Sequence, residues 1–142
     1  MTRPRVFGIG LNKTGTISLH HALETLGYRS LHWGGPEIRR TVEANAEAGR
    51  PLLTGIDDHD AFSDIFALSE RFDELDQQYP GSRFVLTTRP LEHWVESRRK
   101  HVLRNRERAE RGEYTGTFLE IEPDTWRAEF VAHHERVAAY FA

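Results

Sequence analysis

Residues 6–19 constrain the fold of this chain more than any other stretch. The stretch opens with a short apolar run of strand-forming side chains, passes through a turn that contains Gly10, Lys13 and Gly15, and then becomes helical. Backbone amides at the start of such a helix, about residues 14–18, stabilise an anion, and Lys13 adds a full positive charge at the turn. This order of elements predicts a phosphate-binding loop in an α/β protein.

Two common phosphate-binding patterns do not fit this loop. A Walker A loop ends in Gly-Lys followed by Ser or Thr, whereas here Lys13 precedes Gly15. A dinucleotide fingerprint needs a third glycine after Gly8 and Gly10, and Lys13 stands where that glycine is required. An ordinary capped helix after an ordinary strand is the alternative without a ligand, but helix capping does not require a lysine and two glycines in the connection.

The loop resembles the 5′-phosphosulfate loop of sulfotransferases that use 3′-phosphoadenosine 5′-phosphosulfate (PAPS). In that family a strand ends in Lys-x-Gly-Thr-x-Ser, and Lys13, Gly15, Thr16 and Ser18 match it. The resemblance implies an α/β fold in three layers, with a mostly parallel sheet, flanking helices and P-loop NTPase-like (sulfotransferase) topology. It further implies PAPS as the sulfuryl donor, no metal, and a donor-binding loop composed of Lys13, Thr14, Gly15, Thr16, Ile17 and Ser18.

A second motif follows the strand predicted at 82–88. Arg89 comes directly after that strand, and Ser97 stands eight residues later on a predicted helix. The resemblance implies that these two residues bind the 3′-phosphate of PAPS. Arginine suits this task because its planar guanidinium donates two hydrogen bonds to phosphate while staying charged. The continuous apolar centre of the strand predicts burial on both faces, as in a parallel sheet.

Asp64 is the candidate general base. It lies near the end of the strand predicted at 60–65. The resemblance implies a general base at this place, because the sulfotransferases that use PAPS carry theirs there. The implied role is to deprotonate the acceptor hydroxyl or amine, while Lys13 stabilises the leaving phosphate. Asp64 is equally suited to cap the helix predicted at 67–78, because aspartate is a preferred N-cap residue. The sequence leaves both roles open.

The remaining pattern completes an alternation of strands and helices. Thr16 or Ser18 is the expected N-cap of the first helix, and His133 and His134 are expected at the surface. His32 and Trp33 are interpreted as half-buried filler, not as site residues. Further elements are expected as an extended segment at 28–33 and as helices at 17–26, at 36–48, from Pro90 onward, and from Pro123 to the end.

Composition limits the possible classes of protein. The chain has 142 residues, of which 38% are hydrophobic and 29% charged, it has no cysteine, and its formal net charge is −3. These values predict a single cytoplasmic domain over residues 1–142 without disulfides or a membrane span, and they argue against a nucleic-acid partner. Because the resembling family normally continues past the final helix with another strand, the domain is expected to lack a closing segment, whether by truncation or because a partner completes the site.

The predicted function is therefore sulfuryl transfer from PAPS to a hydroxyl or amine of a small-molecule or glycan acceptor. Two alternatives stay open: a nucleotide kinase or NTPase with an atypical phosphate loop, and a catalytically silent nucleotide-binding domain. The sequence does not identify the acceptor, and it leaves homo-oligomerisation open.

Overall fold

A parallel β-sheet organises the first part of the chain. The computed structural model describes residues 3–142, whose contacts divide them into one unit up to Thr88 and a second unit from Arg89 to Ala142. In the described part of the first unit, four strands lie in the order β2-β3-β1-β4, and every pairing is parallel. The carboxyl ends of the strands therefore share one edge. The strands are β1 (Val6–Gly8), β2 (Ser30–His32), β3 (Ala61–Ser63) and β4 (Arg83–Val85).

Helices follow each strand. None of the helices within residues 3–142 is long and apolar enough to cross a membrane. The expected α/β class, a parallel sheet with flanking helices, is confirmed. The helices of the first unit are α1 (Thr16–Thr25), α2 (Pro36–Glu47), α3 (Phe66–Ser69) and α4 (Phe72–Gln78), and those of the second unit are α5 (Leu91–Glu110) and α6 (Pro123–Tyr140).

Three phenylalanines tie the centre of the sheet together. Phe7 of β1 stands in register with Phe62 of β3 and Phe84 of β4, and its ring lies 5.5 Å from each neighbouring ring, centroid to centroid. Aromatic pairs across parallel strands add about 0.5–1.5 kcal/mol each beyond the area that they bury. The shared pattern of one phenylalanine at the middle of each three-residue strand therefore fixes the register of β3, β1 and β4.

α1 is held on the sheet by a small apolar cluster. Leu23 of α1 is buried with Val6 and Ala61, and Leu19 and Tyr28 pack against this group. Burying one leucine side chain stabilises a fold by about 1.5–3 kcal/mol. The cluster holds α1 against β1 and β3.

The strand β4 and the segment after β3 differ from the sequence-based expectations. Burial of β4 on both faces is wrong: Arg83 and Val85 are exposed, because β4 is the edge strand of the sheet. The single helix expected at 67–78 is two helices, α3 and α4. The Ser69 hydroxyl at the end of α3 donates to the carbonyls of Ile65 and Gly8, and this type of side-chain bond competes with a continuing helix.

The second unit buries an arginine among aromatic rings. The Arg98 guanidinium of α5 lies 4.7–4.8 Å from the ring centroids of Trp94, Phe118 and Trp126, and burial lowers its pKa. Cation–π contacts of this kind offset part of the cost of burying the charge. The expectation that His133 lies at the surface is wrong, because its side chain is buried on α6.

Candidate active site

The carboxyl edge of the sheet brings the loops after β1, β2 and β3 together. His32 at the end of β2 is in register with Ser63 at the end of β3, and the amide of Trp33 donates to the Ser63 carbonyl at 2.9 Å. Asp64 is therefore adjacent to the end of β2. Lys13 lies in the loop after β1, the central neighbour of β3. Ligands of parallel α/β sheets bind at this edge.

Close packing holds the loop after β1 in place. A side chain at Gly10 would collide with the carbonyl and hydroxyl of Thr87 and would stand 2.9 Å from its backbone nitrogen. The buried Thr14 hydroxyl bonds to the Leu11 carbonyl and lies 2.8 Å from the Thr87 hydroxyl. The loop therefore needs glycine at position 10 and a hydroxyl at position 14, and both hold the loop against the segment after β4.

The loop turns into α1 through two residues with left-handed backbone. Lys13 has φ of 62° and Gly15 has φ of 85°. Gly15 is the N-cap of α1, and no side chain caps that helix, so the expectation that Thr16 or Ser18 is the cap is wrong. The first amides of a helix without a side-chain cap remain able to bind an anion, which the helix dipole favours. The side chains of Ile17 and Ser18 are exposed.

Asp64 is a carboxylate in an unusual environment. Its φ is 56°, a conformation that costs energy in most residues and that clusters at functional sites. Burial raises the pKa of Asp64 from its ordinary value of 3.8 to about 6, and the nearby positive charge of Lys13 offsets part of this rise. Because the N-cap of α3 is Ile65 and no side chain caps that helix, the helix-cap interpretation of Asp64 is wrong.

His32 is the residue at this edge that sequence reasoning missed. Its Nε2 lies 3.2 Å from the Thr16 hydroxyl oxygen and 3.8 Å from Asp64 Oδ2. His32 therefore contacts the loop at Thr16 and lies beside the carboxylate. Burial lowers the pKa of His32, and the positive charges of His20 and His21 lower it further. A histidine at the end of an extended segment was visible in the sequence. The missing information was that β2 lies beside β3.

Arg89 and Ser97 belong to the second unit. Arg89 directly precedes Pro90, the N-cap of α5, and Ser97 lies in the second turn of that helix. Both residues are half-buried. Their assignment to the 3′-phosphate stays a prediction.

A parallel α/β sheet with a glycine- and lysine-containing loop after its first strand defines a protein of the phosphate-loop class. Comparison with protein families narrows this class, because residues 5–141 match the family model described as a sulfotransferase domain. The chain belongs to this sulfotransferase family, and its fold is the expected sulfotransferase (P-loop-like) fold. It is therefore a transferase of the sulfuryl-transfer type. No curated protein matches the chain.

Proposed function

We propose that this chain transfers a sulfuryl group from PAPS to a hydroxyl or amine of a small-molecule or glycan acceptor. The observation that carries the proposal is the proximity of Lys13 and Asp64 at the carboxyl edge of the sheet in a member of the sulfotransferase family. One residue supplies a positive charge for the leaving phosphate, and the other supplies a base with a pKa near neutrality. Sulfuryl transfer to a neutral nucleophile needs both.

The donor's 5′-phosphosulfate is assigned to the loop 13–18. The hydroxyls of Thr14 and Thr16 already bond to other parts of the protein, to Thr87 and His32 respectively. Phosphosulfate binding by Thr14 and Thr16 is therefore assigned to their backbone amides. The backbone amides of Gly15 and Ile17 join them, because no side chain caps the start of α1. The Lys13 ammonium and the exposed Ser18 hydroxyl complete the set. The 3′-phosphate is assigned to Arg89 and Ser97.

The chemical step is an in-line displacement at sulfur. The acceptor oxygen or nitrogen forms a bond to sulfur as the bond from sulfur to the phosphate oxygen breaks, and adenosine 3′,5′-bisphosphate leaves. The acceptor proton passes to the Asp64 carboxylate, and the Lys13 ammonium stabilises the negative charge that grows on the departing oxygen. With a pKa of about 6, Asp64 is mostly ionised at neutral pH and is a stronger base than an exposed aspartate. His32 contacts Thr16 and lies beside Asp64, so it positions the base relative to the loop.

A calorimetric titration with adenosine 3′,5′-bisphosphate tests the donor site. Lys13→Ala and Arg89→Ala each remove a charged donor, and because hydrogen bonds to charged groups are worth about 1.5–3 kcal/mol, each should weaken binding by about ten- to a hundredfold. The matched controls are Lys100→Ala, which removes the other lysine of the chain, and Arg104→Ala, which removes an exposed arginine of α5. Both should bind like the wild type. Equal binding of the bisphosphate and AMP, or wild-type binding by Lys13→Ala and Arg89→Ala, would contradict the assignment.

A transfer assay tests the reaction. The chain is incubated with PAPS that carries a radioactive sulfuryl group and with phenols, aliphatic alcohols, amines and oligosaccharides as acceptors. The wild type should label at least one class, and Asp64→Asn should lower that rate by about 10²–10⁴-fold, the usual contribution of a general base. Bisphosphate binding without any transfer would instead indicate a catalytically silent binding domain. Magnesium-dependent ATP turnover without transfer from PAPS would indicate an NTPase.

A further inference from the structure

The exposed side of α1 carries a compact group of metal-ligating side chains, here named the α1 cluster and defined as His20, His21 and Glu24. One ligand atom from each residue lies within 4.8 Å of the other two. His20 Nε2 is 3.4 Å from Glu24 Oε1, and His21 Nδ1 is 3.3 Å from the same oxygen. The cluster lies outside the residues assigned to sulfuryl transfer.

Two of the three ligand-atom separations in the cluster are those of ligands around one metal ion. A tetrahedral ion with bonds of about 2.0–2.1 Å to imidazole nitrogen and carboxylate oxygen places neighbouring ligand atoms about 3.3–3.4 Å apart. The separations from Glu24 Oε1 to His20 Nε2 and to His21 Nδ1 match this value. The third separation, between the two histidines, is at most 4.8 Å. His21 is the most exposed of the three side chains.

A hydrogen bond from another element orients His20. Its Nδ1 lies 2.8 Å from the Ser30 hydroxyl oxygen at the start of β2. In the tautomer in which Nδ1 donates to Ser30, Nε2 presents its lone pair toward the Glu24 carboxylate. Metal-binding histidines are oriented in this way by a partner on the other ring nitrogen. A cation placed between this lone pair and the carboxylate, which are 3.4 Å apart, would be attracted by both.

We propose that His20, His21 and Glu24 bind one divalent transition-metal ion of the Zn²⁺ type, with solvent completing the coordination. Two imidazole nitrogens and one carboxylate oxygen suit Zn²⁺, Co²⁺, Ni²⁺ or Cu²⁺, whereas Mg²⁺ and Ca²⁺ prefer sites made of oxygen ligands. The His20 ring lies 5.4 Å from the His32 ring, centroid to centroid. The metal site therefore borders the candidate active site without sharing a ligand with it.

Sequence spacing alone does not predict this site. Adjacent histidines on a helix point in different directions, and the set of two neighbouring histidines with Glu24 is not a recognised metal motif. In the structure, Glu24 Oε1 lies within 3.4 Å of both histidines, which precede Glu24 by four and three residues. The tertiary contact with Ser30 then fixes which nitrogen of His20 faces the carboxylate.

The test measures metal binding to the chain without an affinity tag. Zn²⁺ titration by calorimetry should give one ion per chain, Co²⁺ should give the intense visible bands of a four-coordinate site, and Mg²⁺ should not bind. His21→Asn and Glu24→Gln should each weaken Zn²⁺ binding at least tenfold. Ser30→Ala, which removes only the orienting partner, should weaken it about tenfold. The matched control is His93→Asn, an exposed histidine of α5, and it should bind Zn²⁺ like the wild type.

Circular dichroism and thermal melting separate a lost site from a lost fold. The His21 and Glu24 side chains are at least half exposed, so both variants should keep the wild-type spectrum and melting temperature in the absence of metal. Zn²⁺ should raise the melting temperature of the wild type and of His93→Asn but not of the two ligand variants, because an ion that binds only the folded state stabilises it. Absence of Zn²⁺ binding, or equal binding by His21→Asn and Glu24→Gln, would show that the cluster is only a set of ion pairs.

Discussion

Replacement of Asp64 by asparagine should make this protein more stable at neutral pH. Burial raises the pKa of Asp64 from 3.8 to about 6 even with Lys13 nearby, so the ionised carboxylate is less favourable in the folded chain than in the unfolded chain. Because the pKa of Asp64 is raised in the folded state, its contribution to the free energy of unfolding is fully present below pH 3.8. That contribution is lost as the pH rises through 6. Asparagine has nearly the same shape, carries no charge and tolerates the left-handed backbone of position 64.

The size of the effect follows from the shift. Each pKa unit corresponds to about 1.36 kcal/mol, so a shift of about two units makes the wild type about 3 kcal/mol less stable, relative to Asp64→Asn, once the pH exceeds 6. About half of this difference is already present at pH 5. The value is an upper limit, because the Asp64 side chain is 24% exposed and solvent screens part of the penalty. His32 lies beside the carboxylate, and burial lowers the pKa of His32, which disfavours the charged form that would offset the penalty.

Urea denaturation at pH 5, 6, 7 and 8 measures the difference. The free energy of unfolding of Asp64→Asn should exceed that of the wild type by an amount that grows from pH 5 to pH 7 and is constant from pH 7 to pH 8. The matched control is Asp57→Asn, an exposed aspartate, which should stay within about 0.5 kcal/mol of the wild type at every pH. A difference that does not change with pH, or a less stable Asp64→Asn at pH 7, would refute the reasoning.

Three further predictions follow from the loop and the base. Gly10→Ala should lower the free energy of unfolding by about 1–3 kcal/mol, because the new methyl group meets the Thr87 backbone. Gly49→Ala, which has open space but φ of 70°, should lower it by only about 1 kcal/mol. Thermal and urea unfolding compare the two variants, and equal losses would contradict the packing argument. Thr14→Val should cost about 1–3 kcal/mol by leaving buried partners unpaired, and Thr14→Ser, which keeps the hydroxyl, should cost clearly less in the same assay. For the proposed reaction, the rate should fall about tenfold per pH unit below pH 6 as Asp64 becomes protonated, so a flat profile between pH 5 and pH 8 would exclude it as the base.

Local signals in the sequence were sufficient for most of the fold. The strand, loop and helix from Val6 onward form as expected, with α1 starting one residue earlier than predicted, and α2 spans Pro36–Glu47 against an expected 36–48. Such elements depend on apolar periodicity and on glycine and proline at their ends, which act over a few residues. The match of the loop to a sulfotransferase pattern was likewise local, and the family comparison confirms the family that it indicated.

The sequence-based predictions were wrong or incomplete where a residue's environment depended on residues distant in the chain. The apolar centre of β4 resembled that of a buried strand, but β4 lies at the sheet edge and Val85 is exposed. From the sequence, Asp64 was equally consistent with a helix cap, but in the structure the N-cap of α3 is Ile65. His32 was set aside because nothing within a few residues of it indicated a partner.

The sequence by itself therefore determined the order of the elements, the phosphate-type loop and the sulfotransferase family, because these depend on residues that are neighbours in the chain. Only the tertiary structure decided that β2 lies beside β3. This strand order brings His32 into contact with Thr16 and close to Asp64, and it places Lys13 at the same carboxyl edge of the sheet. It also decided that His20 faces Glu24 through its contact with Ser30. The physical reason is that strand order and the desolvation of a carboxylate are set by packing between segments about 30 to 50 residues apart, and no local pattern encodes them.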